Sequence, residues 1–489
     1  MKAASHLYDV AIIGAGFSGI GMAIALKRAG IDNFLLIERN DSIGGTWWEN
    51  TYPGCACDVP SVVYSFSFAL NPNWTRAYPG QAEIHAYLQT CCDTFDLGSH
   101  LRLKTTVTTA RYDETQMEWN LTCGTEPIRA RVLIGAIGPF SQPSFPTLPG
   151  MESFTGECFH TARWNHDIDV TGKRVGIIGT GASAAQCIPH LAAKVASLAV
   201  FQRTPPWILP KPDRPISRIE RWLRRSVPGF ARLERGFYYS IAESLAFGFT
   251  KYPRLLRLLE RLAKRHLQKH IADPLLREAL TPDYRLGCKR IIFASDYYPA
   301  LAEPHVRLIT DPIASLDSDG VLTENGLRVP LDILIFSTGF HVADNALPIE
   351  IVGRDGLTLS QAWEGGMEAY YGTSVAGFPN LFLLLGPNSG LGHNSVVLMA
   401  EAQIRYCIDA LRTMRREGLC EIDLHPEAQA AFNAALARSL PRTVWQSGCN
   451  SWYLNARGRN VTIWPGFTFT FDYHLRRFHA GAYSKRVLP

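Results

Sequence analysis

The feature that most constrains this chain is a glycine-rich turn that occurs twice, 165 residues apart, each time between an apolar run and a helical pattern. In the first copy the run Val10–Ile13 leads into Gly14-x-Gly16-x-x-Gly19. Glycines at this spacing permit a tight turn and let a pyrophosphate approach the N-terminus of the following helix. The next apolar run ends in Glu38, an acid that can accept hydrogen bonds from a ribose diol and would repel a 2′-phosphate. The first copy therefore predicts a site for FAD.

The second copy of the turn is Gly179-x-Gly181-x-x-Ala184, and Ala is tolerated at the third position. The residue at the offset of the first copy's acid is Arg203, so the two copies place opposite charges at the ribose position. A guanidinium suits the 2′-phosphate of NADPH. The alternative is a surface arginine on a repeat that has lost its function.

Two further apolar runs, 132–138 and 331–340, contain glycine at or near their ends and are typical of buried parallel strands. We expect the chain to leave one parallel sheet through the first run and to re-enter it through the second. This predicts an α/β fold with two Rossmann-like dinucleotide-binding domains, the second inserted in the first. The FAD-binding domain would comprise residues 1–143 and 331–489, and the NADPH-binding domain residues 144–330.

A basic block lies within the second domain. From Arg214 to Lys269 the chain has fourteen Lys and Arg against four Asp and Glu, a local net charge of +10 in a chain of net charge +5. Leucines at helical spacing accompany these charges between 255 and 262. We interpret the block, about 214–280, as a helical insertion. We favour an amphipathic helix whose leucines face the core over a helix that lies on a membrane surface.

The N-terminal sequence has no secretory signal pattern and no run of 18 apolar residues occurs, so we expect a cytoplasmic protein without a membrane span. The eleven cysteines are scattered, with adjacent Cys91 and Cys92 and the pair Cys55-x-Cys57, but no C-x-x-C pair. This pattern predicts reduced thiols rather than a disulfide framework, and no metal site. We expect small-molecule partners and no nucleic acid.

Several longer motifs resemble one protein family. They are GGTWWENTYPGCACD (44–58), FTGECFHTARW (154–164), GTGASAAQ (179–186), FQRTP (201–205) and GCKR (287–290). Together they resemble the class B flavoprotein monooxygenases, and among these the Baeyer–Villiger type, over nearly the whole chain. The resemblance implies FAD- and NADPH-dependent conversion of a ketone to an ester or lactone. In such enzymes O₂ is activated as a C4a-peroxide of the flavin, and one oxygen atom enters beside the carbonyl.

The run Phe154-x-Gly156-x-x-x-His160-x-x-x-Trp164 matches the family's fingerprint. The resemblance implies a linker between the two domains, with Gly156 as a hinge and with His160 and Trp164 docking the linker in one orientation. The alternative is a packed inter-domain strand with a hydrogen-bonded histidine. The family usually has Pro or Asp after the tryptophan, and Asn165 departs from this pattern. That departure leaves N- or S-oxygenation of a heteroatom as an alternative function.

The resemblance also implies a catalytic pair, Arg290 in GCKR and Asp58 at the end of TYPGCACD. A guanidinium can stabilise both a peroxide anion and a developing alkoxide. Asp58 would orient the guanidinium beside the FAD. By sequence alone, two residues 232 positions apart indicate no more than a surface salt bridge.

The remaining site residues are implied by the resemblance alone. The flavin contacts are Thr46, Trp47, Trp48, Glu49 and Tyr64, with Val107 near the adenine. The NADPH contacts are Thr180, Gly181, Ala182, Ser183, Ala184, Ala185, Gln186, Arg203, Thr204, Lys289 and, beside the nicotinamide ribose, Trp452. The loop GPNSGLGHNSVV is expected to return to the flavin, with His393 in a structural role.

Two other functions would use similar domains. A disulfide reductase needs a close redox pair beside the flavin, and Cys55-x-Cys57 has a poor spacing for one. A flavin-binding redox protein without catalytic activity is the remaining alternative.

Overall fold

The computed structural model describes residues 6–124, 126–344 and 347–487. In chain order its strands are β1 (Leu7–Ile13), β2 (Phe34–Ile37), β3 (Leu101–Arg102), β4 (Thr109–Asp113), β5 (Glu118–Cys123), β6 (Glu126–Gly135), β7 (Glu157–His160), β8 (Arg174–Ile178), β9 (Ser197–Phe201), β10 (Ile208–Leu209), β11 (Ile292–Phe293), β12 (Val306–Ile309), β13 (Ile313–Asp317), β14 (Gly320–Thr323), β15 (Arg328–Pro330), β16 (Ile333–Phe336), β17 (Glu350–Val352), β18 (Leu381–Leu383), β19 (Leu419–Leu424) and β20 (Tyr483–Val487). Its α-helices are α1 (Phe17–Arg28), α2 (Thr46–Glu49), α3 (Gln81–Thr94), α4 (Ala182–Ala192), α5 (Arg218–Ser226), α6 (Phe230–Thr250), α7 (Arg257–His270), α8 (Pro274–Ala279), α9 (Tyr297–Leu301), α10 (Leu359–Ala362), α11 (Val396–Glu417), α12 (Pro426–Ser439) and α13 (Thr468–His474).

The first sheet has the order β17-β4-β5-β6-β1-β2-β3, with β18 paired to β6. Its centre is parallel, and Val10 of β1 pairs with Phe34 of β2 on one side and Val132 of β6 on the other. These central strands are apolar on both faces because α1 and α11 cover one face, and side chains of β4, β5 and the segment 359–378 pack with the residues of the other. The prediction that the 132–138 run is a buried strand of this sheet is confirmed for residues 132–135, which end β6, whereas 136–138 follow the strand.

The second sheet has the order β12-β9-β8-β16-β7, and every pair in it is parallel. Its strands come from residues 157–336, between the two parts of the chain that form the first sheet. Each sheet therefore carries one glycine-rich turn, after β1 and after β8. The predicted fold class, α/β with two Rossmann-like units, is confirmed.

The run 331–340 is a buried strand, but it does not re-enter the first sheet. It forms β16, which pairs with β7 and β8, so Phe336 lies between His160 and Ile178. The chain returns to the first sheet later, with β17 at Glu350 and then with β18. The expected boundary near 331 therefore precedes a strand of the second sheet. An all-apolar strand suits the centre of either sheet equally well, so the pattern alone could not choose between them.

Helices α5 to α8 form the insertion, between β10 and β11. The expectation that its leucines face the core is wrong for three of the five between 255 and 262. Leu256 is buried and Leu259 is partly buried in a cluster with Phe249 and Trp445, whereas Leu255, Leu258 and Leu262 point to solvent. The described residues contain no helix that is long and apolar enough to span a membrane.

The expectation of reduced thiols throughout the chain is also wrong. Cys288 and Cys449 form a disulfide, whereas the other nine cysteines are free. The two bonded residues are 161 positions apart. No local spacing rule reaches across such a distance, because it is the tertiary fold that brings the segments together.

Candidate active site

The glycines of the turn after β1 allow close packing of the backbone and leave the N-terminus of α1 without a side-chain cap. A Cβ at Gly14, where φ is +103°, would meet the backbone oxygen of Ala136 at 2.5 Å. A Cβ at Gly19 would lie 1.8 Å from the Gly14 oxygen. Gly16 is the N-cap of α1, and no side chain caps the helix there. The first amides of α1 thus remain open to a phosphate, and the turn fits the pyrophosphate of FAD.

Glu38 lies at the end of β2 and is buried. Its Oε2 accepts a hydrogen bond from the backbone N–H of Ala15 at 2.8 Å, and its Oε1 accepts one from that of Asn40 at 3.0 Å. The carboxylate is therefore held beside the glycine turn, at the position that a ribose diol requires. Val107, expected near the adenine, is buried in the cluster that contains Ile13 and Ile37.

The short helix α2 carries the other predicted flavin residues. The indole N–H of Trp47 donates to the Tyr64 hydroxyl at 2.9 Å, so these two predicted residues are in contact. Trp48 instead packs against His85, with ring centroids 5.3 Å apart. Thr46 begins the helix, directly after Gly45, which has a φ of +54°.

Glu49, the last residue of α2, is a buried acceptor for two arginines. Arg39 reaches it at 2.5 Å and Arg163, inside the fingerprint, at 3.4 Å. The fingerprint is thereby linked by charge to the predicted flavin-binding helix. A second link joins the Thr51 hydroxyl and His166 Nε2 at 2.8 Å.

The second glycine turn has the same form as the first. Gly179 has a φ of +110°, and a Cβ there would meet the Ser337 oxygen at 2.4 Å. Gly181 is the N-cap of α4, without a side-chain cap, and a Cβ on it would meet nothing within 4 Å. This turn therefore fits a second pyrophosphate. The predicted contacts at 182–185 form the first turn of α4, directly behind it.

Gln186, a predicted NADPH contact, instead joins α4 to the segment that leads to Asp58. Its amide oxygen accepts from the Tyr52 hydroxyl at 2.9 Å, and its amide nitrogen donates to the Ala56 oxygen at 2.9 Å. Gly54 lies so close to α4 that a Cβ on it would meet the Gln186 backbone oxygen at 2.5 Å. The glycine of TYPGCACD is thus explained by contact between the two dinucleotide units.

Arg203 and Lys289 lie near each other although they are 86 positions apart. Burial and then the nearby Arg203 lower the pKa of Lys289, while Asp283 opposes them. Thr180 Oγ1 donates to the Thr204 oxygen at 3.1 Å, which fixes the loop after β9 beside the glycine turn. Two converging cations next to a pyrophosphate cradle fit a 2′-phosphate.

The fingerprint contains a strand. Its residues 157–160 form β7, the edge strand that pairs with β16. A Cβ at Gly156 would meet the Asp332 oxygen at 2.5 Å and the ring of Phe154 at the same distance. Trp164 packs edge-on against Phe159, with centroids 5.0 Å apart. In this structure Gly156 is therefore required by close packing, a reason that the expected hinge role did not include.

His160 lies at the end of β7 and is 1% exposed. Its Nδ1 accepts from the backbone N–H of Ala162 at 3.0 Å, whereas its Nε2 has no hydrogen-bond partner among the described residues. Burial, aided by Arg163, lowers the pKa of His160 to about 4. The imidazole is consequently neutral at ordinary pH.

Asn165, the departure from the family pattern, has a local role. Its side-chain oxygen accepts from the backbone N–H of Asp167 at 3.0 Å, which closes a turn after the fingerprint. Asn165 makes none of the contacts of the Arg290 site.

Arg290 and Asp58, the predicted catalytic pair, are in direct contact. Arg290 Nε and Nη2 both approach Asp58 Oδ2, at 2.8 and 2.6 Å. The carboxylate raises the pKa of Arg290 above its usual range. Because one carboxylate oxygen takes both contacts, Nη1 of the guanidinium and Oδ1 of Asp58 are left for other partners. The side chains are 30% and 24% exposed, so the pair is largely buried but still accessible from solvent.

Local backbone geometry places the arginine. Gly287, with a φ of +91°, lies against the ring of Phe249, where a Cβ would come within 2.8 Å. The Cys288–Cys449 disulfide holds the next residue, and β11 begins at Ile292. Arg290 is therefore fixed on both sides.

Sequence reasoning missed two elements of this site. Tyr453 is buried next to the Arg290–Asp58 pair, and burial raises its pKa to about 12, which makes its hydroxyl a neutral donor. The disulfide connects the arginine segment to the segment with Trp452 and Tyr453. Trp452, a predicted NADPH contact, is 39% exposed and packs on Phe140 at 5.8 Å. The only feature of the sequence that pointed to Tyr453 was its position directly after Trp452, a predicted NADPH contact.

His393 has the structural surroundings that we expected. It is buried, with Nε2 3.4 Å from Glu243 Oε1 of α6 and 3.4 Å from the Thr468 hydroxyl. It thus ties the loop 386–397 to the insertion.

Comparisons with known proteins agree with this geometry. Residues 11–232 match the family model described as pyridine nucleotide-disulphide oxidoreductase. A Baeyer-Villiger monooxygenase of Pseudomonas aeruginosa is 48% identical over 491 residues, covering 100% of this chain and 93% of the relative. The solved structure of OTEMO in complex with FAD and NADP matches with a TM-score of 0.87 at 27% identity, covering 98% of this chain and 99% of the other. Cyclohexanone monooxygenase from Rhodococcus sp. Phi1 bound to NADP⁺ matches with a TM-score of 0.88 at 28% identity, covering 99% and 100%.

Near-complete coverage at such identity, together with two dinucleotide cradles and the expected fingerprint, settles the family and its cofactors, FAD and NADPH. The chain belongs to the Baeyer–Villiger monooxygenases, which are NADPH-dependent flavoprotein monooxygenases.

Proposed function

We propose that this enzyme inserts one oxygen atom of O₂ next to the carbonyl of a ketone, that Arg290 acts at the reacting atoms and that Asp58 positions its guanidinium. The observation that carries the proposal is their contact across 232 positions, near Tyr64, which in turn contacts Trp47 of α2. FAD, when bound and reduced by NADPH, supplies the chemistry that activates O₂. The protein must then hold the substrate and stabilise negative charge on oxygen.

Arg290 is suited to that task. Its guanidinium is always charged, its position is fixed by Asp58, and Nη1 is free to face the oxygen on which charge develops. Asp58 is a positioning residue in this account, because it acts through the guanidinium. Tyr453 adds a neutral donor at the same place.

The proposal extends to NADPH. Arg203 and Lys289 would bind the 2′-phosphate, and Trp452 would lie along the nicotinamide side. We also retain the proposed division into two domains, with its second boundary moved beyond β16. A cytoplasmic location remains a prediction.

The test is Arg290→Ala, compared with Arg290→Lys and Asp58→Asn. Loss of a single preorganised donor of this kind lowers the rate by roughly 100- to 1000-fold. We expect Arg290→Ala to retain FAD and NADPH oxidation but to release hydrogen peroxide instead of ester, as measured by product chromatography. Asp58→Asn should show a smaller loss. The same variants should be assayed with a sulfide substrate. Normal ester formation by Arg290→Ala would refute the assigned role, and sulfoxide as the sole product of the parent enzyme would favour heteroatom oxygenation.

A further inference from the structure

The junction of α6 and α7 exposes a continuous apolar surface. Phe247, Tyr252, Leu255, Leu258 and Leu262 are between 44% and 70% exposed. The last three follow the i, i+3, i+7 spacing of a single helical face. The two elements are in contact, since a Cβ at Gly248 in α6 would lie 3.9 Å from the Leu255 side chain. We name these five residues the junction surface.

The apolar surface continues onto neighbouring elements. Phe247 packs against Phe467 with centroids 4.8 Å apart, and Phe467 against the exposed Phe469 at 5.2 Å. Further along α6, Leu233 and Phe237 are 75% and 63% exposed, one helical turn apart. Together these side chains form an exposed apolar area of a kind that is rare on the surface of soluble monomeric proteins.

All exposed charges on this part of the chain are positive. The four carboxylates between 214 and 269 are occupied: Glu220 pairs with Arg214, Glu234 with Arg224 and Glu243 with His393, and Glu260 accepts from the N–H of Leu286. In contrast, cations at the helical spacing of the junction surface are exposed and have no carboxylate partner within the described part of the chain, namely Arg254, Arg261, Arg265 and Lys269. Lys251 lies over the ring of Phe467 at 5.8 Å.

A basic pocket adjoins the leucines. It has a volume of about 460 Å³ and is lined by Leu262, Arg265, Lys269 and His270, together with Pro210, His266 and Ser295. Leu258, Leu262, Arg265 and Lys269 follow one another at intervals of four, three and four residues, so apolar and cationic side chains share a face of α7. A pocket with two cations at the edge of an apolar surface fits the phosphate of a lipid headgroup.

We infer that the junction surface docks on an anionic membrane. Its aromatic and leucine side chains would enter the boundary between headgroups and acyl chains, and the flanking Arg and Lys would contact lipid phosphates. A second copy of this chain is a poorer partner, because a symmetric contact would bring together two copies of the basic segment 214–269, each with a net charge of +10. Nucleic acid would match the charge but would leave the leucine stripe uncovered.

The experiment is flotation of the FAD-loaded enzyme with two kinds of vesicle, phosphatidylcholine alone and equal parts phosphatidylcholine and phosphatidylglycerol. We expect binding to the anionic vesicles at low salt, weakened by added salt, and little binding to the neutral ones. Two triple variants should each bind these vesicles more weakly than the parent enzyme by about tenfold or more. They are Leu255→Ser/Leu258→Ser/Leu262→Ser and Arg261→Gln/Arg265→Gln/Lys269→Gln.

Matched controls are available away from the junction surface. Leu357→Ser/Val487→Ser removes exposed apolar side chains, and Arg412→Gln/Arg415→Gln removes exposed cations. Both controls should float like the parent enzyme, and all variants should keep their FAD and NADPH oxidation.

Three results would overturn the inference. The first is absence of binding to anionic vesicles by fully FAD-loaded enzyme at low salt. The second is equal binding by the triple leucine variant and its control. The third is binding to a different partner. A dimer that forms without vesicles, seen by light scattering and abolished in the leucine variant, would assign the surface to a second copy of the chain. A DNA mobility shift without vesicle binding would assign it to nucleic acid.

Discussion

At the scale of single residues, Arg203 and Lys289 are the groups that we expect to select NADPH over NADH. They come from separate segments, and Arg203 lies close enough to lower the pKa of Lys289. Arg203→Ala or Lys289→Ala should raise the KM for NADPH, with a loss of about 1–3 kcal/mol for a charged hydrogen bond, and should leave kinetics with NADH nearly unchanged. Steady-state kinetics with both cofactors measures this difference.

The control for these variants is Arg307→Ala. Arg307 is an exposed arginine on β12, the strand next to β9 in the same sheet. It should leave both KM values unchanged. Equal losses with NADPH and NADH in Arg203→Ala would contradict the assignment.

The lowered pKa of His160 predicts that the free energy of unfolding depends on pH. Its folded pKa of about 4 lies below the unfolded value of 6.5, so between these values the unfolded chain binds more protons. The stabilisation from the neutral imidazole is therefore complete above pH 6.5 and is lost as the pH falls towards 4. The whole window corresponds to roughly 1–3 kcal/mol. In His160→Asn, whose oxygen can still accept from Ala162, the free energy of unfolding should fall less steeply across this range.

Chemical denaturation at several pH values measures that slope. The exposed His6 provides the control, and His6→Asn should follow the parent enzyme. A parent-like slope in His160→Asn would mean that another group causes the acid sensitivity.

At the scale of elements, the fingerprint behaves as a packed edge strand, and Gly156 tests this. A Cβ there would come within 2.5 Å of the Asp332 oxygen and of the Phe154 ring. Gly156→Ala should push β7 away from β16 and lower the apparent Tm by a few degrees, as overpacking commonly costs about 1–3 kcal/mol. Gly98→Ala, where a Cβ would meet nothing within 4 Å, should leave the Tm unchanged. Differential scanning fluorimetry suffices, and an unchanged Tm in Gly156→Ala would favour a flexible hinge.

Elements also show what sequence patterns can and cannot predict. The two glycine turns were predictable because a turn, a helix N-terminus and an acid or arginine are close in sequence and act locally. The sheet to which β16 belongs was not predictable, because its apolar run suits the centre of either sheet. The sequence also could not predict that Leu255, Leu258 and Leu262 point to solvent, because periodicity defines a face of a helix but not what covers that face.

At the scale of the whole molecule, the arrangement of the active site came from the family resemblance rather than from physics alone. Nothing in the spacing of Asp58 and Arg290 indicates their contact at 2.6 Å. The tie between Gln186 and the Tyr52–Ala56 segment and the disulfide are equally invisible in one sequence, because each depends on how two units are packed together. The position of Tyr453 follows from the same packing.

The Cys288–Cys449 bond turns the chain between these residues into a covalent ring, which includes β12 to β19 and the exposed turn at 324–326. A protease site engineered into that turn should therefore yield, after cutting, one band on a denaturing gel without reductant and two bands with it. In Cys449→Ser the two bands should appear without reductant. Separate pieces from the cut parent enzyme would show free thiols instead.

Such a ring means that a cut backbone does not dismantle the site. Arg290 lies within the ring, two residues after Cys288, and Trp452 lies three residues beyond Cys449, so both remain tethered to each other when the intervening chain is broken. When a protease cuts the chain between the two cysteines, the activity of the enzyme should therefore fall more slowly than the amount of uncut chain. With reductant present, activity and uncut chain should fall together.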